Sequence, residues 1–327
     1  MSEQTALITI DAHLEEDGER SLADDALDGL TKPFKELPPK HFYDARGSEL
    51  FNRICALPEY YPTRTERAIL EANAAAIVAA VRPAELVELG SGSATKTRVL
   101  LDAMRNAGTL VRYVPLDVSE SVVRSSAEEL VNEYEGMQVH GVIGDFERHL
   151  ERVPESSGPR LVALLGGTIG NFPPGSRRRL LRRIAALLGP DDRLLLGTDL
   201  VKDPRVIEAA YDDAAGVTAE FNRNVLHVLN RELNANFDPD AFTHVAFFDP
   251  DREWIEMRLR AVRACKVRID DLDIELDFDV GEEVRTEISA KFTRERVERD
   301  FAASGLALDA WYTDEDDLFA VSLARRG

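Results

Sequence analysis

Only two cysteines occur in the 327 residues, Cys55 and Cys265, far apart and in no Cys-x-x-Cys arrangement. That excludes a disulfide framework and a cysteine-based zinc site, and it suits a reducing cytoplasm. The six histidines show no His-x-His or His-Glu-x-x-His spacing, so each reads as a surface or hydrogen-bonded core residue, and no metal is expected. No run approaches about 18 uninterrupted apolar residues. The N-terminus carries Glu3, Asp11, Glu15, Glu16 and Asp17 where an export signal would be apolar, so a membrane span and secretion are both disfavoured. Positive charge is also in deficit: 40 Lys and Arg face 60 Asp and Glu, a net −20 that repels nucleic acid and acidic membranes alike. One basic cluster stands out, Arg177, Arg178, Arg179, Arg182 and Arg183. It is interleaved at helical spacing with Leu180, Leu181, Ile184, Leu187 and Leu188 and is expected to form a solvated face. What composition leaves open is a monomer with a small or zwitterionic partner, its 44% hydrophobic content sufficient for one large core or two ordinary ones.

Against these absences stands one glycine-rich stretch, Leu86-Val87-Glu88-Leu89-Gly90-Ser91-Gly92-Ser93-Ala94-Thr95-Lys96. An apolar run stops at two spaced glycines and a helical pattern begins, the form of a strand, a tight turn and a helix whose first N–H groups face a ligand. A Gly-x-Gly turn also occurs in parallel sheets for packing reasons alone. A dinucleotide site needs a third glycine where Thr95 stands, so NAD is disfavoured and with it a nicotinamide oxidoreductase. The pattern acid-x-Gly-x-Gly-x-small, Glu88 to Ala94, resembles instead the first motif of Rossmann-like methyltransferases that bind S-adenosylmethionine.

Around that turn the pattern alternates: strands over 85–89, 111–116, 138–143, 161–166 and 193–198, and helices over 95–106, 120–133 and an arginine-bearing segment stopped by Gly189-Pro190. This predicts an α/β fold with a doubly wound parallel sheet, in which ligands bind beyond the carboxyl ends of the strands. There stand Asp117, suited to ribose hydroxyls, Asp145 and Phe146, suited to an adenine ring, and Gly166-Gly167-Thr168-Ile169-Gly170-Asn171, which brings Asn171 to the sheet edge. Singly each acid is more often a helix cap; three such strand-end groups, two of them acids, in register with the glycine turn favour adenosyl binding. The alternation breaks after Leu200. Strands over 254–262, 264–270, 272–279 and 284–290 read as an inserted α+β lobe, before a helix at 293–304 and strands at 306–312 and 318–323 return to the first sheet. Two domains are expected: 64–200 with 291–327 for the cofactor, and 1–63 with 201–290 for the substrate. In the opening segment Leu22, Leu27 and Leu30 share a helix face, and Thr63-x-x-Glu66 reads as a capping box at a helix start. By the period-two rule Ile255, Met257 and Leu259 share one strand face, and Glu287 and Ser289 another. Core packing for Met257 and a solvent-facing carboxylate for Glu287 are the plain alternatives.

Together these motifs resemble the histidine-specific Nα-methyltransferases of ergothioneine biosynthesis, over nearly the whole chain. Pro38-Pro39-Lys40 through Asp44, Leu57-Pro58-Glu59-Tyr60-Tyr61-Pro62-Thr63-Arg64, Glu88-Leu89-Gly90-Ser91-Gly92 and Thr168-Ile169-Gly170-Asn171 carry the likeness in the first half. In the second half it is carried by Leu195 to Asp203, Ala210 to Ala219, Phe221-Asn222-Arg223-Asn224, and Thr286-Glu287-Ile288-Ser289 with Lys291-Phe292. The resemblance implies that Gly90, Lys96, Asp117, Asp145 and Phe146 hold S-adenosylmethionine. It implies that Tyr43, Asn171 and Tyr211 hold the α-amino and carboxylate ends of L-histidine, that Tyr60 lines the same pocket, and that Glu287 and Ser289 bond the imidazole beside Met257. Three methyl transfers would give hercynine and release S-adenosylhomocysteine, with Tyr43 and Asn171 orienting the neutral amine. Departures from the family pattern are Ala94, Gly167, where the family has serine, and Ala290, where it has cysteine. The alternatives are a methyltransferase for another amino acid or small amine, which would share the cofactor half, and a non-catalytic S-adenosylmethionine sensor.

Overall fold

A computed structural model describes residues 7–13, 22–92, 94, 96–156 and 158–327. What was expected of Glu3, Glu15, Glu16, Asp17, Ser93 and Thr95 lies outside the described residues. Among the described residues the chain begins with β1 (Ile8–Ala12), α1 (Leu22–Leu30), β2 (Lys35–Glu36), α2 (Ala45–Cys55) and α3 (Tyr61–Val81). An alternating series follows: β3 (Glu85–Leu89), α4 (Thr97–Asn106), β4 (Arg112–Asp117), α5 (Glu120–Glu133), β5 (Gln138–Ile143), α6 (Phe146–His149), β6 (Arg160–Leu164), α7 (Pro174–Leu187) and β7 (Arg193–Asp199). Then come α8 (Pro204–Tyr211), α9 (Val217–Glu232), β8 (Phe242–Asp249), β9 (Trp254–Ala261), β10 (Cys265–Ile269), β11 (Ile274–Phe278) and β12 (Glu283–Ala290). The chain closes with α10 (Arg294–Ala302), β13 (Leu306–Thr313) and β14 (Phe319–Arg326).

The described residues fall into two compact units, one of residues 7–13, Arg64–Leu200 and Phe292–Gly327, the other of residues 22–63 and Val201–Lys291. The first holds an eight-stranded sheet in the order β1-β5-β4-β3-β6-β7-β14-β13. Its strands from β1 through β7 are parallel, and β14 runs antiparallel to both β7 and β13. The sheet is therefore mixed at one edge, where a hairpin returns the chain without a crossover helix. β3 and β6 are buried along their whole length, as parallel strands covered by helices on both faces must be. The strand order reverses between β3 and β6, which opens a crevice beyond their carboxyl ends.

Three expectations are corrected here. Residues 1–63 were assigned to the second lobe, but β1 pairs with β5, Ile8 beside Val139, because Ile8 and Ile10 complete the sheet edge. Arg177 is not on a solvated face: it is 2% exposed, its Nε donates to Asp300 at 2.8 Å, and its guanidinium lies over Phe292. In α1 it is Ala26 and Leu30 that are buried, while Leu27 is 43% exposed.

The second unit holds a sheet in the order β2-β12-β9-β8 and the hairpin β10-β11. β8 was not foreseen, because Phe242, Val245, Phe247 and Phe248 break the period-two alternation that marks a strand. Asp44 ties the N-terminus of α2 to α9: its carboxylate accepts from Gly47 N at 2.7 Å, Asn224 Nδ2 at 2.8 Å and Arg231 Nη2 at 3.0 Å. Those bonds hold its carboxyl below the usual aspartate range, against the opposing effect of desolvation.

Candidate active-site halves

In the first unit the crevice at β3 and β6 gathers the residues singled out around the glycine turn. Gly90 and Gly92 have φ of 73° and 48°, in the left-handed region that glycine adopts without strain, and a Cβ on Gly92 would meet open space. The turn is braced from two sides. Gly90 N donates to Leu116 O at 2.8 Å, and Gly92 N donates to Asp117 Oδ2 at 3.0 Å, while Asp117 Oδ1 accepts from Ser119 N. Each Asp117 oxygen keeps a further lone pair for a ligand hydroxyl. Asp145 does cap a helix, accepting from Glu147 N at 2.8 Å through Oδ1, and the cap fixes Phe146 in the same corner. A Cβ on Gly90 would lie 3.5 Å from the Phe146 ring, and that ring meets Phe172 edge-on at 6.1 Å. Phe172 directly follows Asn171, which ends the 3₁₀ turn Thr168–Asn171.

Lys96 is the fifth residue of this group, and the structure gives it a partner that the sequence pattern disguised. Its ammonium is hydrogen-bonded to the carboxylate of Glu66, which is fully buried and also accepts from Gly166 N at 2.8 and 2.9 Å. Gly197 makes room for this carboxylate, since a Cβ there would sit 2.0 Å from Glu66 Oε1. The capping-box reading of Thr63 and Glu66 is corrected accordingly: α3 begins at Tyr61, so both lie inside the helix. A signal was available. Glu66 falls on the face of Ile69, Leu70, Ala74, Ile77 and Val81, all buried, and an acid on an apolar face calls for a buried partner. The acid of the glycine motif, Glu88, is buried as well and accepts from Tyr113 OH at 2.6 Å and from Thr97 Oγ1. Desolvation pushes its carboxyl up to about 7, against the lowering effect of those two bonds. A glycine turn open to close approach, two carboxylates with spare lone pairs, an aromatic face and an ammonium fit an adenosyl group with an amino-acid tail.

In the second unit the other sequence-predicted residues come together. Tyr43 packs edge-on against Phe51 at 5.6 Å and Phe221 at 5.7 Å, Phe51 against Tyr60 at 6.2 Å, and Tyr60 against Tyr211 at 6.3 Å. Desolvation raises the Tyr60 phenol well above its usual range, reinforced by the neighbouring Tyr211, Cys55, Tyr43 and Glu287. Glu287 lies opposite Met257 in the β12-β9 pairing, and Ser289 opposite Ile255. The register shifts between Arg285 and Glu287, a bulge that re-aims the strand just before the acid. Thr286 at the bulge is anchored through its Oγ1, whose one proton is shared between Asn222 Oδ1 at 2.6 Å and Met257 O at 3.1 Å. Asn222 Nδ2 in turn meets His244 Nδ1 at 2.8 Å, and His244 Nε2 meets Tyr211 O at 2.8 Å. The carbonyl can only accept, so His244 carries its proton on Nε2; burial holds its pKa below the usual value and keeps the ring neutral. Met257, 2% exposed, also packs as a core residue.

Desolvation pushes the Glu287 carboxyl up to about 7, and the charge opposing that rise is Lys291. Lys291 was expected to open the second segment of the sheet domain; the structure places it in this unit, fully buried, with its ammonium on Tyr211 OH at 3.1 Å and Ser289 Oγ at 3.0 Å. The period-two rule extends from Glu287 and Ser289 to residue 291, and it is the signal that finds this lysine.

Comparison with known proteins gives these two sets of residues a context. The family described as "Histidine-specific methyltransferase, SAM-dependent" matches residues 22–326. The chain belongs to that family. Its members include close relatives: it is 51% identical over 320 residues to a histidine N-alpha-methyltransferase of Mycobacterium tuberculosis, covering 98% of this chain and 99% of that one. With the protein of the same name from Mycolicibacterium smegmatis the identity is 54% over 306 residues, 94% and 95% of the two chains. Ergothioneine biosynthesis protein 1 of Neurospora crassa is 30% identical over 312 residues, 89% of this methyltransferase and 33% of that longer protein. No helix among the described residues is long and apolar enough to cross a membrane, and no group of three or more metal-ligating side chains occurs among them.

Proposed function

We propose that this methyltransferase places three methyl groups in succession on the α-amino nitrogen of L-histidine, giving hercynine in a route to ergothioneine, and that it acts as a monomer in the cytoplasm. The observation that carries the substrate is the placement of Glu287 and Ser289 on one face of β12, a carboxylate and a hydroxyl able to bond the two ring nitrogens of an imidazole, with Met257 opposite Glu287. Two close relatives named for histidine Nα-methylation support the same reading. Gly90, Lys96, Asp117, Asp145 and Phe146 would hold S-adenosylmethionine, which when bound supplies an electrophilic methyl group on its sulfonium.

In this reading Tyr43, Asn171 and Tyr211 hold the amino and carboxylate ends of histidine, Tyr60 lines the same pocket, and Tyr43 and Asn171 aim the nitrogen. Positioning is the main lever, since holding two reactants in attack geometry is worth on the order of 7–11 kcal/mol. The amine reacts through its lone pair and so must be neutral, its proton passing to solvent directly or through a tyrosine–water contact. Aromatic faces tolerate the cation that grows as methyls accumulate. The sequence of transfers ends by itself, because a quaternary nitrogen has no lone pair. The test is mass spectrometry of the products after incubating the protein with S-adenosylmethionine and each of the twenty amino acids in turn. Histidine alone should gain three methyl groups; gain on another amino acid instead would overturn the substrate.

A further inference from the structure

Lys291 has no part in the reading above, yet it is fully buried and touches two of the residues assigned to the substrate. Its ammonium, the Tyr211 hydroxyl and the Ser289 hydroxyl form a closed triangle with sides of 3.1, 3.0 and 2.9 Å. Hydrogen accounting within that triangle is restrictive. An ammonium only donates, so both hydroxyl oxygens accept from Lys291. Tyr211 then gives its own proton to Ser289 Oγ. Ser289 thus accepts twice, from Lys291 and from Tyr211, and a hydroxyl oxygen has two lone pairs. The Ser289 proton is what remains, and no described group accepts it.

We propose that Lys291 is a positioning residue that makes Ser289 an obligate hydrogen-bond donor, so that the site accepts a ring with one lone-pair nitrogen facing Ser289 and one N–H facing Glu287. The neutral imidazole is that ring. The inference rests on the reading of Glu287 and Ser289 as imidazole contacts. It adds a rule of polarity: a protonated imidazole, which has N–H on both nitrogens, and an indole, which has no acceptor nitrogen, each leave Ser289 donating to nothing. An unmet buried donor is costly, which is how such a site discriminates. The Lys291 charge meanwhile supports the ionised form of Glu287 that must accept the N–H.

Two histidine analogues isolate the Ser289 bond: 3-(thiazol-4-yl)alanine keeps the acceptor nitrogen and lacks the N–H, and 3-(2-thienyl)alanine lacks both. Methylation of each is measured beside histidine. Failure of the wild-type protein to methylate histidine removes the underlying reading and the inference with it. With histidine methylated, wild type should favour the thiazole over the thiophene by about tenfold in kcat/KM, the scale of one hydrogen bond. Equal rates would overturn the donor role of Ser289. In Lys291→Met the thiazole advantage should fall to within about twofold, with KM for histidine raised far more than kcat is lowered, and Ser289→Ala should add little on top of it. Lys291→Gln, similar in length and able to accept the Ser289 proton, should show the same loss and decides the matter if the methionine variant does not fold. A thiazole advantage undiminished in a folded Lys291 variant would overturn the inference.

Discussion

Glu88 and Glu287 are both carboxyls pushed up to about 7, chiefly by desolvation. For such groups the folded protein binds protons that the unfolded chain has already lost. Stability is therefore fully present below about pH 4.5, falls as pH rises from there to about 7, and changes no further from this source. Glu88→Gln, which keeps the shape and cannot ionise, should flatten that fall. Thermal melting of both proteins between pH 5 and pH 7.5 checks it, and parallel slopes would show that Glu88 does not titrate in that window. Glu287→Ala should raise KM for histidine at least tenfold and narrow the preference over other aromatic amino acids, as competition assays with histidine and phenylalanine would show. These residues were legible in the sequence to different degrees. Gly90, Asp117, Asp145 and Phe146 follow strand ends, so topology alone pointed to them. Tyr43, Tyr60 and Tyr211 sit in loops and at a helix end, and family resemblance was needed to select them. Glu66 and Lys291 entered as a helix cap and as an unassigned motif residue: local periodicity marks each as a buried polar group, but it does not name the partners, Lys96 and Tyr211, which lie 30 and 80 positions away.

Among the elements, the helices and strands that pack on both sides were readable to within a residue or two: α5 and β5 coincide with their expected limits. Continuous apolar runs and helical periodicity are strong signals there. The arginine-bearing α7 shows where that logic ends. The arginines read together as one solvated cluster, but Arg177 stands one and two turns before Leu181 and Ile184 on the buried face, where it meets Asp300 on α10. Removing one partner of a buried pair leaves an uncompensated charge, so Asp300→Ala should destabilise the protein by about 3–5 kcal/mol. Replacing both, as Arg177→Met with Asp300→Leu, should cost much less. Urea denaturation of the single and double variants measures the difference. Desolvation already lowers the Arg177 pKa, against the opposing pull of Asp300, which is the same imbalance seen from the native side. β8, by contrast, was hidden by its own phenylalanines, half-buried on both faces.

At the level of the whole molecule, a net charge of −20 makes the compact state repel itself. Raising ionic strength from 20 to 200 mM shortens the screening length from about 21 Å to about 7 Å, and Tm should rise. A fall in Tm would mean that the many surface ion pairs outweigh the excess acid. The division into two units has a further consequence. Leu200 and Phe292 are bridged side by side at the edge of the first unit, so the excursion through residues 201–291 leaves and rejoins the sheet at one place. A sheet whose path is indifferent to what is spliced between two adjacent residues is a chassis. On the proposed division of labour, exchanging 22–63 and 201–291 together for the matching segments of a relative would transplant the choice of amino acid while the methyl donor's cradle stays native. On that division, new substrates in this lineage would arise by replacing a cassette, with the chemistry beneath it left as it is.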